Sequence, residues 1–284
     1  MRRVKTRTKP KQKQKQKNKT AVCVCSGGVD STVAAKQKNK TAVCVCSGGV
    51  DSTVAATVAA REGYELRLFH ASYGQRAERQ EKEAVVKIAG YFGVGAKDLK
   101  FAEIPFLKEL GGSALTDLER EVPVGEEVKL NENGETGGET REAGETGETG
   151  TKTPSTWVPC RNLVLLATAC AYAEVVSADA LFVGFNAEEA RSYPDNEKEF
   201  VVRFNAVLEK AVASFSQPPT VRAPLADLLK SGVVKKGVEV GAPLHLTYSC
   251  YLGGKKHCGV CESCLRRRRG FREAGVEDPT EYIF

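Results

Sequence analysis

No run in this sequence reaches the roughly 20 apolar residues that a membrane-spanning helix requires. The basic N-terminus is not followed by the apolar stretch of a secretory signal, so export is not expected. The Walker pattern GxxxxGK[ST] is missing too, and with it the loop lysine that reaches a γ-phosphate. A 21-residue unit is repeated, but only twice, too few and too short for a solenoid. What remains, at 284 residues, is room for one large core, or for one domain with a small appendage.

Ten cysteines are present, yet their placement argues against a disulfide scaffold. Cys23, Cys25, Cys44 and Cys46 belong to two copies of one VCVC segment, and Cys250, Cys258, Cys261 and Cys264 are spaced like metal ligands. That usage fits a reducing cytoplasm better than secretion. The net charge of +6 hides an asymmetry. Residues 1–40 carry 13 Lys/Arg against one Asp, or +12, whereas residues 41–284 carry 29 Lys/Arg against 35 Asp/Glu, or −6. A basic arm precedes a mildly acidic body, so the overall charge says nothing about nucleic acid binding by that body.

Residues 1–19 are lysine-rich and of low complexity, which predicts a disordered tail, either simply solvated or able to bind polyanions. Residues 15–35 and 36–56 are the same segment, KQKNKTAVCVCSGGVDSTVAA, and TVAA at 53–56 recurs at 57–60. Two SGGVDST loops are therefore present, at 26–32 and 47–53, and only one can occupy a native position. The first runs into Lys36-Gln37-Lys38-Asn39-Lys40 and another strand, so residues 20–40 are expected to be a duplicated strand and loop. The second leads into an alanine-rich segment without proline or glycine, a helix by propensity, and then through Glu62 and Gly63 to a strand at 65–69. The second copy is expected to be the working one.

Ahead of that loop, AVCVC at 42–46 has the small and β-branched residues of a buried strand. Strand, glycine loop and helix together aim backbone N–H groups and a positive helix end at a phosphate. The full SGGVDST resembles the PP-loop of the ATP-pyrophosphatase superfamily, whose members use ATP to adenylate a substrate and hold the released pyrophosphate in this loop.

Downstream, residues 64–76 predict a strand with a polar tip, and 77–94 a helix with Ala84, Val85, Ile88, Ala89 and Phe92 on its apolar face. Residues 98–107 return as a strand. This β-α-β-α-β alternation predicts an α/β fold, a parallel sheet with helices on both faces. It is expected to span 41–240, interrupted at 125–150 by GET repeats that cannot pack apolar surface and should form a mobile acidic loop. Further helices are predicted at 162–176 and 196–215, a buried strand at 180–186, and a helix at 224–241 broken at Gly232 and Gly237. Lys230 and the arginines at 266–269 are expected on a solvated basic face, with phosphates as the alternative partner.

The C-terminal motif C-x7-C-x2-C-x2-C, at Cys250, Cys258, Cys261 and Cys264, suits tetrahedral zinc with no open position, a structural site within 241–284. His257 could replace one ligand, and buried free cysteines or a redox CxxC are the other readings.

The loop and this knuckle, with YGQRAERQEKEA, LKELGGSALTD, STWVPCRNLVLLATACAYAE, VGFNAEEARSYPDNEKEF and APLADLLKSGVVKKGVEVG in between, are similar to the 7-cyano-7-deazaguanine synthase family. The resemblance runs from about residue 41 to 282. These are nitrile-forming enzymes of queuosine and archaeosine precursor synthesis, with the adenine nucleotide alpha hydrolase-like fold. The resemblance implies an ATP-dependent carbon–nitrogen ligase. It activates the carboxylate of 7-carboxy-7-deazaguanine, aminates it with ammonia, then activates the amide again and dehydrates it to the nitrile. ATP, Mg²⁺ and Zn²⁺ are the implied cofactors. Nucleic acid is not required, no membrane is involved, and a second copy of the chain is a candidate partner.

Carried onto matching positions, the resemblance makes Val45, Cys46, Ser47, Gly48, Gly49, Val50, Asp51, Ser52 and Thr53 the nucleotide cradle. Asp51 would hold Mg²⁺, and Ser47, Asp51, Ser52 and Arg161 would serve catalysis. Tyr73, Gln75, Arg76, Asn162, Asn186, Tyr193 and Asp195 would hold the substrate, Asp195 at the N–H edge of the base. Ser72, Cys160 and Glu189 depart from the family pattern. Another PP-loop ligase or a tRNA-thiolating enzyme stays open, although Cys160 and Cys170 sit beside or on an apolar helix. So does a non-enzymatic, zinc-stapled RNA-binding protein.

Overall fold

The computed structural model describes residues 40–128, 153–212 and 218–284. The basic tail, the first loop copy and the GET-rich stretch beyond residue 128 lie outside the described residues.

Five parallel strands form one sheet: β1 (Thr41–Val45), β2 (Glu65–Ser72), β3 (Leu99–Glu103), β4 (Ala180–Phe182) and β5 (Thr220–Arg222). Their order is β3-β2-β1-β4-β5. The second repeat copy supplies the central strand, paired to β2 from Thr41 opposite Glu65 and to β4 from Ala42 opposite Ala180. A central parallel strand is buried on both faces, which is why β1 is an unbroken run of small and β-branched residues rather than an alternating one. Its side chains still alternate. Val43 enters one core with Leu166, Leu181 and Phe204, and Ala42 and Cys44 enter the other with Ala56, Leu68, Ile88 and Phe182.

Eight helices complete the described residues: α1 (Val50–Arg61), α2 (Glu78–Phe92), α3 (Phe106–Glu109), α4 (Arg161–Val175), α5 (Ala187–Ala190), α6 (Lys198–Ala211), α7 (Lys230–Val240) and α8 (Glu262–Ala274). α1 and α2 cover one face of the sheet, α4 and α6 the other. α1 is buried almost all round, with Ala56 and Ala59 on the sheet side and Val50, Val54 and Ala55 packed against Val233, Val234 and Phe271. Alanine and β-branched residues on every side of α1 let both layers approach it closely.

Two expectations are corrected. α7 is one unbroken helix, not two pieces. A Cβ added at Gly237 would lie 2.9 Å from Val54 Cγ2 and 3.1 Å from Leu244 Cδ2, so this glycine serves the close α7–α1 contact rather than a break. The arginines of α8 and Lys230 do not form a solvated face either. Lys230 is 7% exposed, and Arg266 and Arg267 are each 2% exposed. Buried cations need partners. Arg266 reaches Glu188 at 2.8 Å and Glu262 at 3.0 Å, and Arg267 reaches Asp278 at 3.0 Å. Arg268 alone of the four stays exposed.

Candidate active site

In an open parallel sheet, ligands bind beyond the carboxyl ends of the strands where the strand order turns back. Here that point is between β1 and β4, because β2 and β3 continue on one side and β4 and β5 on the other. A cavity of about 230 Å³ opens there, walled by the segments that follow β1, β2 and β4, by the start of α4, and by the C-terminal segment.

The SGGVDST loop of the second copy forms the floor. Gly49 is the N-cap of α1 and has no side chain to satisfy the first-turn N–H groups, which leaves donors and the positive helix end for an anion. Hydroxyls hold the loop shut from within. Ser47 and Ser52 Oγ atoms lie 3.1 Å apart, Ser47 N donates to Ser52 Oγ at 3.2 Å, and Thr53 Oγ1 donates to Gly49 O at 2.7 Å. From the far end of the chain, Tyr248 N donates to Gly48 O at 2.9 Å. Gly184, just after β4, presses on the same turn: a Cβ there would lie 2.5 Å from Ser52 N and 2.6 Å from the Asp51 carbonyl carbon. Gly184→Ala is therefore expected to push α1 away from β4. Nucleotide binding measured by calorimetry should weaken at least tenfold, with a fall in melting temperature.

Three charged groups meet beside the loop. Lys230 Nζ donates to Asp51 Oδ2 at 2.5 Å and to Glu189 Oε1 at 3.1 Å. Burial works against the ammonium, but Asp51, Glu189 and Glu188 outweigh it and hold its pKa above the ordinary lysine value. Burial pushes the Asp51 carboxyl up to about 6 against the pull of Lys230. Glu189 is held low, the Lys230 and Arg266 charges overcoming its burial. The second Asp51 oxygen, Oδ1, is buried with no hydrogen-bond partner. One free carboxylate oxygen next to a phosphate cradle fits a Mg²⁺ ion, which takes one or two carboxylates and completes its shell with phosphate and water.

Across the cavity stand Tyr73, Gln75, Arg76, Arg161 and Asn162. Cys160 turns the chain into α4 with a left-handed backbone, φ 52°. That conformation costs a non-glycine residue about 1 kcal/mol or more, and it delivers Arg161 into the cavity. The guanidinium lies 5.9 Å from the Tyr73 ring centroid, and the nearby Tyr73, Asp195 and Tyr251 overcome its burial to keep it charged. Arg76 is committed to the protein, donating at 2.7 Å to Ala114 O and at 2.7 Å to Asp117 O. Gln75 is likewise engaged at both ends of its amide.

Asn186, Tyr193 and Asp195 are not on the cavity wall. Asn186 caps α5, accepting from the N–H groups of Glu188 and Glu189. The Tyr193 hydroxyl pairs with Thr156 Oγ1 at 2.8 Å, and its ring stacks on Trp157. Asp195 faces Arg161 and Asn162, which are themselves on the wall. In their place the wall gains His70, Glu81, Lys230, Glu189, Tyr248 and Tyr251. Lys230 stood out in the sequence as a possible phosphate partner and Glu189 as a departure from the family pattern, whereas nothing local marked His70, Glu81, Tyr248 or Tyr251. They reach the cavity only because β2, α2, α7 and the C-terminal segment converge on it.

The cysteine quartet is assembled. The four Sγ atoms of Cys250, Cys258, Cys261 and Cys264 lie within 4.8 Å of one another, all buried, and Cys258 and Cys264 Sγ are 3.9 Å apart. A tetrahedron with metal–sulfur bonds of about 2.3 Å has edges of about 3.8 Å, so the set fits a zinc-sized ion. Backbone N–H groups of Val260 and Cys261 donate to Cys258 Sγ at 3.4 and 3.2 Å, orienting that sulfur toward the other three. His257 faces elsewhere, its Nε2 accepting from Ser249 N at 2.9 Å, which leaves four cysteines as the ligand set.

A doubly wound parallel sheet, an SGGVDST loop at its switch point and no Walker lysine define a PP-loop ATP-pyrophosphatase-type protein with a metal-fitting cysteine knuckle. Comparison with known proteins narrows the class. The family described as "Queuosine biosynthesis protein QueC" matches residues 41–275, starting within the second repeat copy. A 7-cyano-7-deazaguanine synthase of Methanothrix thermoacetophila is 54% identical over 257 residues, 90% of this chain and 96% of its own. One from Methanococcus aeolicus is 41% identical over 80% of this chain and 92% of its own. A third, from Sulfurisphaera tokodaii, is 41% identical, but this chain spans only 46% of its length. The chain belongs to the QueC family. Among the described residues, no helix is long and apolar enough to cross a membrane.

Proposed function

We propose that this protein converts 7-carboxy-7-deazaguanine and ammonia into 7-cyano-7-deazaguanine at the expense of ATP. The observation that carries this reading is the family match, whose first matched residues are the β1–loop–α1 floor of the cavity.

The substrate carboxylate attacks the α-phosphate of ATP, and pyrophosphate leaves into the N–H groups at the start of α1, fixed in place before reaction. Bound at Asp51 Oδ1, Mg²⁺ would neutralise charge on the phosphates. Lys230 sets the direction of the Asp51 carboxylate and adds a positive charge beside the cradle. Arg161, charged and half-buried across from the loop, faces the acyl oxygen and draws the carboxylate into place. Ammonia then attacks the acyl-adenylate, AMP leaves, and the resulting amide is activated once more through its oxygen and loses AMP to become the nitrile. Zinc, if held by the four cysteines, would staple the segment that brings Tyr248, Ser249 and Tyr251 to the wall. Unpaired cysteines among the described residues suit a reducing cytoplasm.

The test is direct. Purified protein with ATP, Mg²⁺, ammonium and 7-carboxy-7-deazaguanine should yield the nitrile by mass spectrometry, with one AMP and one pyrophosphate for each of the two activations. Accumulation of amide alone would define a ligase that stops halfway. No AMP at all, with salt-dependent RNA retention, would favour the RNA-binding alternative.

A further inference from the structure

Three carboxylates stand on the cavity wall: Asp51, Glu189 and Glu81. Asp51 and Glu189 both bond Lys230. Glu81, from α2, has no ion-pair partner among the described residues; its Oε2 accepts a single hydrogen bond, 2.8 Å from Gln75 Nε2. Gln75 cannot turn away, because its Oε1 accepts from Tyr73 N at 2.8 Å and its Nε2 also reaches Ala71 O at 3.3 Å. The side chain is 5% exposed. A buried, fully committed amide therefore aims one unpaired carboxylate into a reaction cavity.

Amination poses a demand that this group meets. Near neutral pH almost all ammonia is ammonium, which has no lone pair and cannot attack an acyl carbon. The site needs an acceptor for its proton, and an anion to hold the cation beside the adenylate. We propose that Glu81 is the ammonium-binding and proton-accepting group of the amination step, positioned by Gln75. This rests on the function proposed above.

The balance is simple. Glu81 carboxylate takes one proton from NH₄⁺, and the freed lone pair forms the C–N bond. The C–O bond to AMP breaks, and AMP departs with its electron pair. Glu81 passes the first proton to solvent and takes the second from nitrogen, leaving a neutral amide. Burial pushes the Glu81 carboxyl up to about 7, opposed by Gln75 and Arg161 and helped by Glu78, so it exchanges protons readily at neutral pH. Tyr73 faces it as well, and burial keeps that phenol neutral.

The experiment compares wild type with Glu81→Gln and Glu81→Asp in the full chain. Glu81→Gln preserves the bond from Gln75, so pyrophosphate exchange dependent on 7-carboxy-7-deazaguanine should stay within about twofold of wild type. Amide and nitrile formation from ammonium should fall by about 10²–10⁴-fold, the usual worth of a proton-transfer group. The acid limb near pH 7 in kcat/KM for ammonium should vanish with it. Hydroxylamine, largely unprotonated at pH 7, should still capture the adenylate as the hydroxamate at close to the wild-type rate. Glu81→Asp should restore part of the ammonium reaction together with the acid limb. The inference is overturned if Glu81→Gln makes nitrile with an unchanged pH profile, or loses hydroxylamine capture as severely as amination. Absence of pyrophosphate exchange in the wild type would instead remove the proposed function itself.

Discussion

Asp51→Asn is expected to lower kcat/KM for 7-carboxy-7-deazaguanine by about 10³-fold or more, equivalent to about 4 kcal/mol of transition-state stabilisation. The substitution keeps the shape beside Lys230 but removes the negative charge. It takes away a buried carboxylate oxygen that has no partner, Oδ1, and leaves the buried ammonium with Glu189 as its remaining ion-pair partner among the described residues. Truncation to alanine would add the cost of a half-broken buried pair, about 3 kcal/mol, and would confuse chemistry with stability. Asparagine is the cleaner probe. Asp30→Asn, the same change in the first loop copy, should leave turnover within twofold of wild type, because the family match begins at Thr41 and β1 comes from the second copy. Steady-state kinetics on the two variants decides the matter. A dead Asp30→Asn beside an active Asp51→Asn would reverse the assignment of the working loop.

The second large effect concerns the cysteine quartet. Metal analysis should find about one zinc per chain, and Cys261→Ser should lose it. A structural zinc site contributes about 10 kcal/mol or more to folding, comparable with the whole stability of a domain. The melting temperature of Cys261→Ser is therefore expected to fall by about 10 °C or more. Activity should fall with it, since Tyr248 N bonds the loop at Gly48 O and Tyr248 and Tyr251 stand on the cavity wall. A metal-free variant with full activity and unchanged melting would show that the knuckle neither binds zinc nor supports the site.

Much of the fold was legible because it depends on local pattern. The β1 segment, the glycine loop and the alanine-rich α1 announce strand, turn and helix within 21 residues, and the apolar positions of α2 at Ala84, Val85, Ile88 and Ala89 are all buried. β2 ends at Ser72, inside the 64–76 stretch read as a strand with a polar tip, because pairing with β3 continues through Ser72 opposite Glu103. The two misread basic elements failed for one reason. Periodicity shows which face of a helix is charged, but not that a second helix will cover that face. α8 lies on α7 so closely that a Cβ at Gly270 would meet Lys230 Cγ at 2.5 Å, and the charges between them are buried and paired.

The site divides in the same way. By itself the sequence determined the phosphate loop and the metal-fitting cysteine spacing, each carried by residues close together in the chain, and the family, carried by a series of short motifs in order from 41 to 275. Only the tertiary structure decided which side chains share the cavity. It left Asn186, Tyr193 and Asp195 off the cavity wall, locked Gln75 and Arg76 into internal bonds, and brought Lys230 to Asp51 across 179 positions. Glu81 became visible as an unpaired carboxylate for the same reason. Hydrogen bonds and ion pairs are short-ranged in space but indifferent to separation along the chain, so their partners are known only once the sheet has brought the strand ends together.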